Sequence, residues 1–383
     1  MKILICCHQP YATGANLALL DWLKDATDSE DQFYVVLPFP NKSLQQAFED
    51  VGCTVWIGYY SVPVRHLRKR PFKKRILDFL QIAYAVVCNT ISRKRLSAKL
   101  KSHNIDIVHS NSFATLYGAV LAVENGLPHV WHIREFMESD HKIEHFNKGK
   151  AQRLAQASSA IFISPAVEKA YNGRFTFKTT TTILDKVSRD SKYHKSRQFM
   201  EDGVCRLLMV GALSPEKGQL DAIQAVQELE QKGYNVRLTL CGSGDVSYIA
   251  PYLQTKNVRY LGQQDDLTMI RQQSDIALVC SRNEAFGRVS IEAMYYGNVL
   301  IGADAGFTKE LIKEGKNGFL YRVGSPSNLA EKVEFLMKNP EEADSVGEYA
   351  SAVSTVFAKP IFPQIADYYK RVVEGAQGKP REY

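Results

Sequence analysis

The chain has 383 residues, 45% of them hydrophobic and 10% aromatic, which suits a two-domain globular protein with ordinary buried cores. Its seven cysteines are an odd number and show no Cys-x-x-Cys or His/Cys cluster at ligand spacing, so neither a disulfide framework nor a structural metal is expected. The net charge of +7 is local: between Arg65 and Lys101 twelve Lys or Arg face one acid, Asp78, and the rest of the chain is net acidic.

The amino terminus, MKILICCHQP, carries one lysine and a short apolar run ending at His8. That run is too short for the core of a signal peptide, and a cytoplasmic location is expected. Buried strands are then predicted at Lys2–Cys7, Phe33–Pro38, Thr54–Gly58, Ile105–Ser110, His129–Ile133 and Ala160–Ser164, each followed by a helix-length segment. Strands alternating with helices in this way describe a parallel sheet covered on both faces.

Between the third and fourth strands lies the basic segment, RHLRKRPFKKR, ILDFLQIAYAVVCNTI and SRKRLSAKLK: an apolar helical run with cations at both ends. Asp78, Gln81 and Asn89 interrupt it, and it falls short of the ~20 residues that span a bilayer. It is expected to lie on an anionic membrane surface, where each Lys or Arg contributes roughly 1 kcal/mol. The plainer alternative is a solvated basic helix whose apolar side is core. Nucleic acid is not an expected partner, because no aromatic platform or recognition motif accompanies the charge.

From Thr176 to Gly203 the apolar period fades into a polar linker, and a second series of strands follows at Cys205–Gly211, Val236–Gly242, Val258–Gly262, Asp275–Ser281 and Asn298–Gly302. Leu220, Ile223, Val226 and Leu229 mark the buried stripe of the helix after the first of these, which Gly233 closes. The fold class is therefore α/β, with two doubly wound Rossmann-like domains facing across a cleft. The predicted domains are 1–197 and 198–359, with a carboxyl-terminal helix, about 360–383, returning to the first.

In such sheets ligands sit outside the carboxyl ends of the strands. Two unusual segments fall there: GALSPEKGQ after the strand ending at Gly211, and NEAFGRVSIEAM after the strand ending at Ser281. At Phe286-Gly287 the chain must turn into a helix, whose first amides have no partner within it. Amides at the positive end of a helix dipole form a phosphate site, and Gly287 allows close approach. Glu284 and Glu292 would then flank the anion and accept hydroxyls, about 12 Å apart if helical rise held throughout. That span suits a nucleotide sugar, hexose at one glutamate and ribose at the other.

The second half resembles glycosyltransferase family 4, retaining enzymes of the GT-B fold. Three matches in register carry the resemblance: Gly211-x5-Lys217-Gly218; Glu284 and Glu292 around Phe286-Gly287 with Ala293-Met294 following; and AGFTKEL (Ala305–Leu311) with Asn317-Gly318 beyond. Looser matches in the first half are Thr13-Gly14-Ala15-Asn16, Ile107-Val108-His109 and His132-Ile133-Arg134-Glu135. The resemblance implies that Lys217 neutralises the donor pyrophosphate, Glu284 holds the transferred sugar and Glu292 takes the ribose. Phe286, Gly287, Arg288 and Val289 would offer amides to sugar and phosphate oxygens, and Gly14 would let the amino-terminal loop approach phosphates or acceptor. It also implies same-face displacement without an enzymatic nucleophile, a bound metal or another cofactor. The expected partners are a nucleotide-sugar donor and a lipid-linked glycan acceptor, as in bacterial capsule, exopolysaccharide or cell-wall assembly, at the inner face of the plasma membrane.

One departure from the family is that Ala212 stands where an arginine commonly follows the first glycine. Arg288 and Arg134 are the candidate replacements for that cation. His132 and His109 each follow an apolar strand, and a cleft role is expected for one of them. Asn16 is read as a cap of the first helix. A sugar-nucleotide epimerase of similar fold and a non-catalytic two-lobed sugar-binding protein are the competing classes; a glycosidase would need two carboxylates flanking one bond and has no use for a lysine-bearing nucleotide cleft.

Overall fold

The computed structural model describes residues 1–67, 72–139, 142–188, 198–253 and 255–377. Two compact units result, Met1–Lys186 with Pro360–Tyr383, and Val187–Lys359.

In the first unit the elements run β1 (Lys2–Cys6), α1 (Gly14–Lys24), β2 (Gln32–Leu37), α2 (Lys42–Glu49), β3 (Thr54–Ile57), β4 (Val64–His66), α3 (Phe72–His103), β5 (Ile107–Ser110), α4 (Tyr117–Glu124), β6 (His129–Ile133), β7 (Ile143–His145), α5 (Lys148–Gln156), β8 (Ser159–Phe162), α6 (Pro165–Tyr171) and β9 (Thr180–Thr182). The main sheet is parallel with order β3-β2-β1-β5-β6-β8-β9. Its central strands β1, β5, β6 and β8 are short apolar runs buried on both faces, as a helix-covered parallel sheet requires. Three-residue β4 and β7 pair antiparallel as a separate ribbon; with the sequences VRH and IEH neither carries an apolar run that marks it in advance.

The second unit runs β10 (Cys205–Val210), α7 (Gln219–Gln231), β11 (Val236–Cys241), β12 (Val258–Tyr260), α8 (Thr268–Gln272), β13 (Ile276–Val279), α9 (Arg288–Tyr295), β14 (Val299–Ala303), α10 (Gly306–Leu311), β15 (Phe319–Tyr321), α11 (Pro326–Lys338) and α12 (Pro340–Ser354). Its parallel sheet has the order β12-β11-β10-β13-β14-β15. Leu220 is only partly buried, while Ile223, Val226 and Leu229 of α7 are core as the periodicity requires.

In both sheets the order reverses between the first and fourth strands of the nucleotide-binding pattern, β1 and β5 in one, β10 and β13 in the other. These are the switch points where the loops diverge and open a crevice for ligands.

The units divide at 186/187 rather than at 197/198. Val187 already belongs to the second, its N–H donating to Phe357 O at 2.9 Å and its carbonyl accepting from Tyr295 Oη at 2.7 Å. The closing helix α13 (Phe362–Gln377) is part of the first unit: Phe362 stacks on Trp22 at 6.0 Å, and Tyr368 Oη donates to Ala160 O at 3.1 Å. Each half is a Rossmann-like α/β domain.

Candidate active site

In the second unit the loops after β10 and β13 meet at the switch point. Arg282 N donates to Glu216 O at 2.9 Å, tying the loops together. Gly218, left-handed at φ 75°, lies so close to Cys280 that a Cβ would stand 2.4 Å from its carbonyl oxygen; any side chain there would push the loop off the strand end. Gln219, 1% exposed, staples the turn by donating from Nε2 to Ala212 O at 2.8 Å. Lys217 is thereby carried to Glu284, with Nζ 3.0 Å from Oε2. Gly211 lies under this lysine, its absent Cβ 3.9 Å from Lys217 Cδ.

Glu284 is fixed from behind by the AGFTKEL turn. Phe307 N donates to Glu284 O at 2.8 Å. Gly306, at φ 54°, approaches so closely that a Cβ would stand 2.5 Å from Glu284 N, while Phe286 stacks on Phe307 at 5.4 Å. Asn317 turns inward as well, donating from Nδ2 to Leu311 O at 3.0 Å. These residues of the resemblance shape the backbone that presents the glutamate.

Gly287, at φ 75°, is the N-cap of α9, so Arg288 and Val289 supply first-turn amides that have no acceptor within the helix. Beside Gly287, the Ser290 hydroxyl is buried and makes no hydrogen bond among the described residues. One turn on, Glu292 accepts from Arg271 Nη2 at 2.5 Å. Arg271 is held over the Tyr296 ring at 5.8 Å. Arg271 and Gln219 were not legible as site residues, since a lone Arg in RQQSD and a Gln at a helix start carry no motif.

The first-unit candidates fall at the other switch point. Gly14 is exposed, opens α1, and a Cβ there would meet nothing within 4 Å; nothing in the unit itself demands glycine. Thr13, rather than Asn16, is the N-cap of α1. Asn16 is fully buried inside the helix and donates to Gln9 O at 3.0 Å and Tyr11 O at 2.7 Å, closing the preceding loop.

His109 and His132, one of which is expected to take a cleft role, are both 0% exposed in the chain. Their strands lie in the middle of a sheet covered on both faces. His109 Nδ1 meets Tyr369 Oη of α13 at 2.7 Å, and His132 Nδ1 meets Arg134 Nη2 at 3.0 Å. Burial first, and then the Arg134 charge, hold both well below the usual histidine range, so both rings are neutral. Arg134 donates to Asn111 Oδ1 at 2.8 Å and forms a buried ion pair with Asp185. Its charge is therefore matched within the first unit, which weighs against it as the cation replacing the one absent at Ala212.

Residues 193–353 match the family described as Glycosyl transferases group 1. The chain is 24% identical to Uncharacterized glycosyltransferase MJ1178 of Methanocaldococcus jannaschii over 94% of each chain. It is 25% identical to Capsular polysaccharide biosynthesis glycosyltransferase CapM of Staphylococcus aureus, over 51% of this chain and 53% of that protein. Among solved structures, Anabaena Alr3699/HepE, crystallised in complex with UDP-glucose, superposes with a TM-score of 0.75 at 22% identity, over 97% of this chain and 100% of that one. Lys217, Glu284 and the start of α9 gather at the switch point of the region, residues 193–353, that matches Glycosyl transferases group 1, and the chain has the α/β GT-B fold of its solved neighbours.

Proposed function

We propose that the protein is a retaining glycosyltransferase that moves a hexose-type sugar from a nucleotide sugar to a lipid-linked glycan, in capsule or exopolysaccharide assembly. The observation that carries the donor half is the 3.0 Å pair of Lys217 and Glu284 beside the N-terminus of α9. A pyrophosphate arriving there takes Lys217 as its counter-ion and the α9 amides as donors, leaving Glu284 to accept hydroxyls of the sugar. Glu292, oriented by Arg271, takes the ribose. In this reading the departing phosphate oxygen accepts the acceptor's proton, no metal takes part, and Gly14 leaves room for a phosphate or acceptor. The solved complexes of Alr3699/HepE with UDP and UDP-glucose support a nucleotide-sugar donor, and the likeness to CapM supports the destination.

Arg288 is the cation we assign to the place left by Ala212. Arg288→Ala is expected to weaken nucleoside diphosphate binding more than nucleoside binding, because its guanidinium is assigned to phosphate, which the nucleoside lacks. Ala212→Arg in that background should restore part of the difference. Calorimetric titration of both ligands checks this, and equal weakening for both would leave Arg288 a bystander.

The acceptor half rests on α3. Leu80, Tyr84, Val87 and Ile91 follow one another at helical spacing and are 48% to 70% exposed, so an apolar stripe faces outward. The opposite face is small or polar: Ala85 is buried, Asn89 Nδ2 donates to Ser61 O at 2.8 Å, and Ser92 donates to the Gly58 carbonyl. Lys94 and Arg95 flank the stripe, exposed; Arg68, Lys69 and Arg70 lie outside the described residues. Among the described residues no helix is long and apolar enough to cross a membrane. An outward apolar stripe among cations suits an anionic bilayer surface at the cytoplasmic face, where a lipid-linked acceptor is confined.

The protein is accordingly expected to co-sediment with anionic vesicles, far less with neutral ones, and less as salt screens the charge. Replacing Arg68, Lys69, Arg70, Lys73, Lys74 and Arg75 by glutamine, or Tyr84 and Val87 by aspartate, should abolish that binding while nucleotide binding persists. In the same assay, labelled donor should transfer to membrane lipid and release nucleoside diphosphate only when lipid is present. Full vesicle binding by both variants, or acceptor-independent release, would overturn this half.

A further inference from the structure

In the first unit, the segment after β6 leads from Arg134-Glu135 into a cavity of about 650 Å3, within the 300–1,000 Å3 range of small-molecule sites. Phe113, Phe136, Met137, Tyr171 and Phe175 form an apolar wall. The rim is charged but already matched: Arg174 pairs with Glu138, and Lys148 Nζ stands 2.6 Å from Glu144 Oε2. An ionic ligand would have to break one of these pairs, whereas a neutral one leaves both intact.

Among the described residues, one buried side-chain polar atom of the lining has no partner. His145 lines the cavity, is 4% exposed and sits edge-to-face with Phe113 at 4.8 Å, yet its Nε2 makes no hydrogen bond among the described residues. A buried polar atom without a partner is costly, and a ligand that supplies one recovers that cost. Burial lowers the ring's pKa to about 4, with Glu144 opposing, so the imidazole is neutral near pH 7 and can give or take a hydrogen bond with a hydroxyl.

We propose that this cavity is a small-molecule site for an uncharged ligand carrying an apolar ring system and a hydroxyl, the rings against the phenylalanine wall and the hydroxyl on His145 Nε2. It is separate from the donor reading, since its lining lies wholly in the first unit and includes none of the donor residues. An alkyl chain alone would fill the wall and leave His145 unmatched, and an anion would compete with Glu138 and Glu144 for their cations.

The test is calorimetric titration of the full-length protein with 2-naphthol, its isostere 2-methylnaphthalene and the anion 2-naphthoate. The expected order is 2-naphthol tightest, at one site per chain, and 2-naphthoate weakest. Gly149→Leu fills the cavity from α5, where a Cβ meets nothing nearer than Asn147 Oδ1 at 3.7 Å, and should abolish binding. Ala170→Leu fills it from α6 should the first variant prove unstable. His145→Phe should weaken 2-naphthol by about three- to tenfold, the worth of one neutral hydrogen bond, and leave 2-methylnaphthalene unchanged. No binding of 2-naphthol by the wild type, or undiminished binding by a folded filled-cavity variant, overturns the site. Equal weakening of both neutral probes in His145→Phe overturns the hydroxyl assignment.

Discussion

Glu284→Ala and Lys217→Ala are each expected to lower sugar transfer by about a hundred- to a thousandfold, the usual cost of removing one preorganised charge from a site of developing charge. Stability should hardly move. Both side chains lie on strand-end loops, and Lys217 is 34% exposed; a pair of that exposure contributes about 0–1 kcal/mol. Because the two residues form one unit, the double variant should fall only slightly below the worse single one. Initial rates with radiolabelled donor, beside matched circular dichroism spectra, decide the matter. Wild-type rates in either folded variant would remove these loops from the chemistry.

The first unit is expected to unfold in acid well before the second. His109, His129, His132 and His145 are all buried in it, and burial depresses each, His129 to about 3 and His145 to about 4. Above the ordinary histidine pKa, near 6.5, folded and unfolded chains are both neutral at these positions and stability does not change. As pH falls below it the unfolded chain takes up protons that the folded one refuses, at about 1.4 kcal/mol per pH unit for each ring. With four such rings the slope reaches about 5 kcal/mol per pH unit on the way to pH ~4, comparable to the whole stability of a domain. The only histidine in 187–359 is His194. All three tryptophans, Trp22, Trp56 and Trp131, lie in the first unit, so their fluorescence reports it alone while far-ultraviolet circular dichroism reports both. Fluorescence should change between pH 6 and 4, ahead of the dichroism. Coincident transitions below pH 4 would contradict the burial of neutral histidines.

The central strands were legible because they are buried on both faces and so read as unbroken apolar runs; HVWHI matches β6 residue for residue. The ribbon of β4 and β7 and the edge strand β9 were not, being three residues long with no apolar run to set them apart, and β15, though apolar as FLY, is only three residues long. In the site, Lys217 and Glu284 could both be placed at strand ends in advance, but their 3.0 Å pairing could not. Asn16 could not be placed, since polar residues near a helix start look alike in sequence whether they cap it or tie down the loop before it. The surroundings of His109 and His132 were not legible either: a polar residue in an apolar strand suggests an open end, and only the fold shows Tyr369 of α13 against His109 and the Arg134–Asp185 pair beside His132. The outward apolar stripe of α3 is a property of which face packs, and composition cannot supply it.

The most direct test of the donor site is thermal unfolding with UDP, GDP and dTDP in turn, in the presence of EDTA. A ligand that binds only the folded protein raises stability by RT ln(1 + [L]/Kd), about 2.7 kcal/mol at a hundredfold excess over Kd. One base should raise the melting temperature clearly above the others in the wild type, with the rise unaffected by EDTA and largely abolished in Lys217→Ala. No rise with any of the three, or an equal rise in wild type and Lys217→Ala, would contradict a nucleotide-sugar site at Lys217, Glu284 and the start of α9.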